Sequence, residues 1–123
     1  IFNIVNLARN RPIAYMSFSP KDYGFLSIVI PVYNEEENVE RLIRAIDDSL
    51  EAYDYEIILV DDFSTDNTRY NVTKLQLAHV VLIELRKNYG QSLAIAAGFD
   101  IAKGNYIITL DGDLQNDPSD IPV

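Results

Sequence analysis

The stretch LSIVIPVYNEEENVERLIRAIDDSLEAYDYEIILV, residues 26–60, predicts the fold. Residues 26–32 are almost continuously apolar, as is EIILV at 56–60, and such runs are typical of strands that are buried on both faces. Between them, apolar residues recur at steps of three and four along one stripe of a predicted helix: Val39, Leu42, Ile43, Ile46 and Leu50. A strand, a helix and a second strand in this order indicate a parallel βαβ unit.

The same alternation continues to residue 110. Helical patterns occupy residues 68–77 and 92–103, and apolar runs typical of strands occupy 80–85 and 106–110. We therefore expect an α/β, Rossmann-like fold with a mostly parallel sheet and helices on both faces. We also expect Asn34 to cap the first helix, with Glu37 completing a capping box, and Gly104 to follow the third helix as its C′ residue.

The length of the chain predicts one domain. It has 123 residues, of which 48% are hydrophobic, enough for one core. We assign residues 26–123 to this domain and residues 1–25, which show no clear period, to a leader segment of unassigned role that packs a short helix on the domain. Because the chain begins with Ile1 and stops inside the phrase PSDIPV, we expect it to be a fragment truncated at its C-terminus.

Composition excludes several classes of protein. Nineteen acidic and ten basic residues give a net charge of −9, which repels nucleic acid and anionic lipid surfaces. The absence of cysteine excludes disulfides, thiolate zinc sites and thiol catalysis, and fits a cytoplasmic location. No apolar run approaches the roughly 20 residues that span a bilayer. The single histidine, His79, precedes an apolar run and is more typical of a strand edge than of a metal ligand.

Polar clusters accompany the ends of the four predicted strands: PVYNEE from residue 31, DDFSTDNT from 61, RKNYGQ from 86 and DGDLQNDP from 111. Because the carboxyl ends of parallel strands meet at one edge of a sheet, these clusters are expected to form one rim. The rim has neither G-x-G-x-x-G nor a P-loop motif, so a phosphate cradle of bare backbone amides is not indicated. Carboxylates favour a hard cation instead, Mg²⁺ or Mn²⁺, which could hold the phosphates of a ligand.

Asp111 and Asp113 are the strongest candidates for such a site. Residues two apart at a strand end can face the same side, and Gly112 between them permits a turn and close approach of a ligand. A divalent ion between the two carboxylates and a diphosphate would cancel their repulsion and stabilise a diphosphate leaving group. The alternative is a polar turn with solvated aspartates, since Asp and Gly are ordinary turn residues.

Other rim positions have two interpretations as well. Asp62 could accept N–H donors from a nucleobase or hydroxyl groups from a ribose, or the run could be an Asx turn before a helix capped near Asp66. Lys87 could contact a phosphate or be a surface lysine. Gly90 could form a backbone turn before the third helix or allow close approach of a ligand.

Three phrases together resemble a known family: SIVIPVYNEEENV, ILVDDFSTDNT and LRKNYGQSLAIAAGFDIAKGNYIITLDGDLQNDPSDIP. They are similar to the N-terminal, donor-binding half of family-2 glycosyltransferases with a glycosyltransferase-A fold, in particular the branch that transfers sugars to polyprenyl phosphates such as dolichol or undecaprenyl phosphate. The resemblance spans residues 26–123 and implies transfer of a sugar from a UDP- or GDP-sugar to a lipid phosphate, with inversion and metal assistance. It implies a parent protein of cell-envelope synthesis at the cytoplasmic face of a membrane.

The resemblance also implies roles for individual positions. Six match residues that line the family's nucleotide pocket: Pro31, Tyr33, Glu35, Asp62, Asn88 and Gly90. Within this set, Asp62 would recognise the base. Asp111 and Asp113 match the family's D-x-D motif, so Asp113 and Gln115 would be metal ligands and Asp111 would contact the ribose or the metal. No catalytic base is assigned, because a phosphate acceptor is already ionised.

The family's acceptor-binding residues come after the metal motif, close to where this chain stops. We therefore expect this chain to bind a donor without turnover, with a lipid-phosphate acceptor bound by the C-terminal region. A receiver-type signalling domain and a haloacid-dehalogenase-type phosphatase also gather aspartates around Mg²⁺. A receiver-type domain would have acidic residues after its first strand and a lysine late in the chain. A phosphatase of the haloacid-dehalogenase type would have Thr or Val at the position of Gln115. A non-catalytic nucleotide-binding module is a third alternative.

Overall fold

The computed structural model describes residues 3–6, 11–12 and 24–110 of the chain. These residues contain strands and helices in the following order: β1 (Asn3–Asn6), β2 (Arg11–Pro12), β3 (Phe25–Val32), α1 (Val39–Ser49), β4 (Asp54–Asp61), α2 (Thr68–Thr73), β5 (Val80–Glu84), α3 (Gln91–Ile101) and β6 (Tyr106–Thr109). The strands form a sheet in the order β2-β1-β6-β3-β4-β5. Strands β6, β3, β4 and β5 run parallel, whereas β1 is antiparallel to both β6 and β2.

Helices cover both faces of this sheet, as the sequence predicts. Successive side chains of a strand point to opposite faces, so the alternate residues of β3 belong to two cores. Leu26, Ile28 and Ile30 pack with the apolar stripe of α1 and with Val72 of α2. Val29 lies in the second core, where Ala94 of α3 packs against β4 and β6. The predicted α/β, Rossmann-like fold is therefore confirmed. Four of the five residues of the predicted apolar stripe are buried on α1, and the fifth, Leu50, is buried as its C-cap.

Helix α1 begins later than predicted. Its N-cap is Asn38, and the backbone of Asn34 has a φ of +52°, so Asn34 is not the cap and Glu37 completes no capping box with it. The turn before α1 is closed instead by the backbone: the N–H groups of Asn38 and Val39 both donate to the carbonyl of Glu35, at 3.0 and 2.9 Å. This leaves the side chain of Asn34 available for a contact with the neighbouring loop.

The prediction for Gly104 is also wrong, because α3 ends at Ile101 and its C-cap, Ala102, is already extended. The next two N–H groups are bound by the sheet: Lys103 donates to Glu56 at 2.9 Å, and Gly104 donates to the Ser27 hydroxyl at 2.8 Å. Gly104 is needed for space, since a Cβ there would lie 2.6 Å from the backbone nitrogen of Ser27.

The leader segment contributes strands where it is described. Residues 3–6 pair with β6 in antiparallel register, from Asn3 opposite Thr109 to Asn6 opposite Tyr106, and residues 11–12 pair with β1. The short helix expected within residues 1–25 is not found in these described parts. Helix α2 is shorter than its sequence pattern indicates and ends at Thr73 rather than near residue 77.

Candidate functional site

The candidate site lies at the carboxyl edge of the parallel strands. The loop after β3 spans residues 33–38, the loop after β4 spans 62–67, and the loop after β5 spans 85–90. Strand β6 reaches the same edge, where the N–H of Leu110 donates to the carbonyl of Val29 at 3.1 Å. The structure therefore brings three of the four predicted polar clusters to one rim, and Leu110 is the last described residue before the fourth.

Asp62 joins the loop after β4 to the loop before α3. Its Oδ1 accepts the backbone N–H of Tyr89 at 2.7 Å, and its Oδ2 accepts that of Gly90 at 2.9 Å. The side chain of Asn88 donates to the backbone carbonyl of Asp62 at 3.2 Å. Asp62 is only 5% exposed, and its own N–H donates to Val32, so both its backbone and its carboxylate are fixed. The structure thus brings together Asp62, Asn88 and Gly90, three of the predicted pocket residues.

Gly90 allows this contact by its backbone conformation. Its φ is +95°, in the region that favours glycine, and it is the N-cap residue of α3. A Cβ at this position would meet no atom within 4 Å, so conformation rather than space selects glycine. Beside it, the ammonium of Lys87 lies 5.0 Å from the centroid of the Tyr89 ring. Gly90 therefore forms the backbone turn that was one of its two interpretations.

Asp61 has a separate, structural role. Consecutive strand residues face opposite sides of the sheet, so Asp61 points toward α2 while Asp62 points toward α3. The carboxylate of Asp61 is fully buried, pairs with the guanidinium of Arg69 and accepts the N–H of Ser64 at 3.0 Å. Arg69 also donates to the carbonyl of Leu85 at 3.1 Å. Sequence analysis did not single out Arg69, although strand alternation within the Asp61–Asp62 pair could have separated the two carboxylates.

Hydrogen bonds join the loops after β3 and β4. The N–H of Asn34 donates to the hydroxyl of Ser64 at 2.9 Å, and the N–H of Thr65 donates back to the side-chain oxygen of Asn34 at 2.8 Å. The N–H of Glu35 donates to the hydroxyl of Thr68 at 2.9 Å. These bonds give Asn34 a positioning role between the loops in place of the predicted helix cap.

Asp66 forms the predicted Asx turn at the start of α2. Its Oδ1 accepts the N–H of Thr68 at 2.9 Å, two residues along the chain, and its Oδ2 accepts the N–H of Glu36 at 3.2 Å. Partial burial acts to raise the pKa of Asp66, but the hydrogen bonds from Thr68 and Glu36 outweigh it and lower the pKa below its ordinary value. The N-cap itself is Asn67, which makes no side-chain capping bond.

The other three described pocket candidates lie at the end of β3. Pro31 pairs with Val60 in the parallel ladder, and its missing N–H removes no bond to β6, whose pairing with β3 ends at Val29. Tyr33 is 46% exposed at the rim. The carboxylate of Glu35 accepts the side-chain amide of Asn38 at 3.2 Å and is half-buried. Within residues 24–110, no hydrogen bond joins these three residues to Asp62 directly, and the pairing of β3 with β4 places them at the same edge.

The predicted metal ligands Asp111, Asp113 and Gln115 lie outside the described residues. Among the residues that are described, no group of three or more His, Asp or Glu side chains is arranged to hold a metal ion. None of the described helices has the combined length and apolar character needed to cross a bilayer.

A surface cavity of about 430 Å³ lies at the opposite, amino edge of the sheet. It is lined by Phe25, Asp47, Tyr53, Asp54, Tyr55 and His79. There, Asp47 accepts the hydroxyl of Tyr55 at 2.5 Å and contacts the ring of His79 at 2.7 Å. Burial and the neighbouring Asp47 raise the pKa of Tyr55 well above its ordinary value. His79 directly precedes β5, as the strand-edge interpretation predicts, and this cavity is separate from the rim.

Comparison with known families identifies the family of this chain. The family model described as glycosyl transferase family 2 matches residues 27–123. The chain belongs to glycosyl transferase family 2. Since this match covers both the described rim and the D-G-D segment, it favours the glycosyltransferase interpretation over the receiver-type and phosphatase-type alternatives.

Solved structures show the same arrangement of strands and helices. S. aureus TarS 1-349 in complex with UDP is 26% identical, with a TM-score of 0.62 over 72% of this chain and 27% of that chain. The same TarS fragment in complex with UDP-GlcNAc is 24% identical, with the same TM-score, over 72% of this chain and 26% of that one.

The mannosyltransferase PcManGT from Pyrobaculum calidifontis, in complex with GDP-Man and Mn²⁺, is 23% identical with a TM-score of 0.69. The match covers 80% of this chain and 30% of the mannosyltransferase. The chain thus spans less than a third of the length of these structures, and its fold corresponds to part of theirs.

Proposed function

We propose that this glycosyl transferase family 2 chain provides the nucleotide-sugar site of an enzyme that transfers a sugar from a UDP- or GDP-sugar to a polyprenyl phosphate. The reaction would proceed with inversion and with the assistance of Mg²⁺ or Mn²⁺. The observation that carries the proposal is the fixed carboxylate of Asp62 at the carboxyl edge of the sheet, between the loops after β4 and β5. In open α/β sheets this edge is where ligands bind.

Asp62 is suited to hydrogen-bonding a nucleobase. A carboxylate offers about four acceptor positions, and the N–H groups of Tyr89 and Gly90 use one on each oxygen. These bonds hold the carboxylate in one orientation and leave acceptor capacity for the N–H groups of a base. Tyr33 and Glu35 lie at the end of the adjacent strand, where we propose that they line the same pocket with Pro31 and Asn88.

The metal would be held by Asp113 and Gln115, with Asp111 on the ribose or the metal. Their oxygen atoms suit a hard divalent cation, and this donor set follows β6 in the sequence, beside β3 in the sheet. When bound, such a cation would neutralise the diphosphate of the donor and stabilise the leaving group. The bound Mn²⁺ and GDP-Man of the mannosyltransferase structure support this proposal by analogy of fold.

The acceptor and the cellular location are proposed from the sequence resemblance. We propose a lipid-phosphate acceptor bound by a C-terminal region of the parent protein, at the cytoplasmic face of a membrane, since the phrase DGDLQNDP resembles the polyprenyl-phosphate branch. The matched structures are more than three times as long as the portion that this chain covers. We therefore expect donor binding by this chain without sugar transfer, and measurable transfer by the chain alone would contradict that expectation.

Calorimetric titration of the chain with UDP and with GDP, each with and without Mn²⁺, tests the donor site. We expect one nucleotide to bind in the presence of Mn²⁺ and to bind much more weakly without it. If neither nucleotide binds at millimolar concentration with Mn²⁺, the proposed function is wrong. The variant Asp113→Ala should abolish the effect of Mn²⁺ while its circular dichroism spectrum remains that of the wild type. Asp54→Ala, which alters an exposed aspartate at the opposite edge of the sheet, is the matched control and should leave metal dependence unchanged.

A further inference from the structure

Phe63, the residue after Asp62, has an unusual backbone conformation. Its φ is +68°, in the left-handed region. For a bulky side chain this conformation is a genuine outlier, because Cβ approaches a carbonyl oxygen, and glycine avoids the cost. Residues in such conformations cluster at ligand-binding sites, where the surrounding structure holds them in place.

Burial of the ring does not account for this conformation, since Phe63 is 45% exposed. The guanidinium carbon of Arg69 lies 5.8 Å from the centroid of the Phe63 ring. Arg69 is itself held by the buried carboxylate of Asp61 and by the carbonyl of Leu85. The ring is therefore positioned by a fixed cation but is not enclosed by a core.

A second exposed ring lies at the same rim. Tyr33 follows β3 directly, and the hydrogen bonds between Asn34 and the residues after Phe63, Ser64 and Thr65, hold the two loops together. Within residues 24–110, neither the ring of Tyr33 nor that of Phe63 stacks on another aromatic ring, and the Phe63 ring lies near the guanidinium of Arg69. Both side chains are about half exposed at the carboxyl edge of the sheet, where Asp62 also lies.

We propose that Phe63 stacks on the nucleobase of the donor and that its left-handed backbone directs the ring to the rim for this purpose. The inference rests on the proposed donor site and extends it to a residue outside the predicted pocket set. A base is the planar, largely apolar part of a nucleoside diphosphate, and aromatic rings stack on any base because every base has a π-face. Asp62, the preceding residue, would hydrogen-bond the edge of the same base.

Matched substitutions separate stacking from packing. Phe63→Leu keeps a large apolar side chain and requires the same left-handed backbone conformation, but it has no aromatic face. Phe63→Tyr keeps the aromatic face. With Mn²⁺ present, we expect Phe63→Leu to weaken UDP or GDP binding about tenfold and Phe63→Tyr to bind within about twofold of wild type. Binding of inorganic pyrophosphate with Mn²⁺, which has no base, should be the same in all three proteins.

Phe63→Gly provides an independent measurement of the strain. Glycine adopts the left-handed conformation freely, so we expect a melting temperature no lower than that of wild type together with weakened nucleotide binding. If Phe63→Gly folds poorly, the ring has a structural role in stability, and the binding result for Phe63→Leu decides whether it also stacks on the base.

Wild-type nucleotide affinity in Phe63→Leu would overturn the inference while leaving the proposed function intact. An equal loss of pyrophosphate binding would also overturn it, because the effect would then not depend on the base. Failure of the wild-type chain to bind either nucleotide would instead overturn the proposed function, and this inference with it.

Discussion

The carboxylate of Asp62 accepts a hydrogen bond of 2.9 Å from the backbone N–H of Gly90, which lies 28 residues later in the sequence. With the neighbouring bond from Tyr89, this contact ties the end of β4 to the N-terminus of α3. A carboxylate that accepts two backbone N–H groups is held in one rotamer, because rotation would leave partly buried donors without acceptors. The residue proposed to bind the base is therefore also a structural link between two loops.

Asp62→Asn should break this link. The amide has one acceptor oxygen, and its NH₂ group would face one of the two N–H donors, so we expect a loss of about 1–3 kcal/mol in the free energy of unfolding. Urea denaturation measures the loss, and hydrogen exchange at Gly90 should become faster. The exposed residue Asp54 offers a matched control, since Asp54→Asn should change the unfolding free energy by less than about 0.5 kcal/mol. Unchanged stability in Asp62→Asn would show that the link contributes little.

Two glycine substitutions should differ in the cause and size of their effects. Gly90→Ala forces a side chain into φ +95° with open space around it, so we expect a cost of about 1–2 kcal/mol from backbone strain. Gly104→Ala places a Cβ 2.6 Å from the Ser27 nitrogen and should cost more, about 3 kcal/mol, because the backbone must move. Thermal unfolding compares them, and a larger loss in Gly90→Ala would contradict this assignment of causes.

Removing Arg69 should leave the fully buried carboxylate of Asp61 without its cation. We expect Arg69→Met to lower the free energy of unfolding by about 3 kcal/mol, whereas the double variant with Asp61→Asn should recover part of it. The exposed pair Arg44 and Glu40, at 3.8 Å, is the control, and Arg44→Met should cost less than about 0.5 kcal/mol. Additive losses in the double variant would indicate that Asp61 and Arg69 are not coupled.

Asp66 should make stability depend on pH in the acid range. Its pKa is lower in the folded chain than in the unfolded chain, so the unfolded state binds the proton more tightly. The stabilisation is fully present above the ordinary aspartate pKa of about 3.9 and is lost as the pH falls through the lower folded value. We expect Asp66→Asn to be about 1 kcal/mol less stable at pH 7, with the difference shrinking below about pH 4. Urea denaturation across this pH range checks the trend. A stability difference that grows toward low pH would contradict the prediction.

Local sequence patterns determined the architecture of this protein. The apolar runs at residues 26–32 and 56–60 and the stripe of α1 predict strands and a helix because burial on two faces or on one face leaves a distinct periodicity in the chain. The positions of Asp62, Asn88 and Gly90 at one rim followed from the same argument, since parallel strands bring their carboxyl ends together. The actual role of Asn34, which was predicted to be a helix cap, could not be derived in this way, because its side chain bonds to a loop about thirty residues away in sequence.

Tertiary structure decided which partners the rim residues bind. Asp61 and Asp62 are identical in chemistry and adjacent in sequence, yet one pairs with Arg69 in the α2 core while the other binds the backbone before α3. Gly104 gains its importance from the approach of Ser27, 77 residues away. Such contacts depend on which strand faces meet and at what distance. Local sequence patterns do not specify these distances, because they are set only when the sheet assembles.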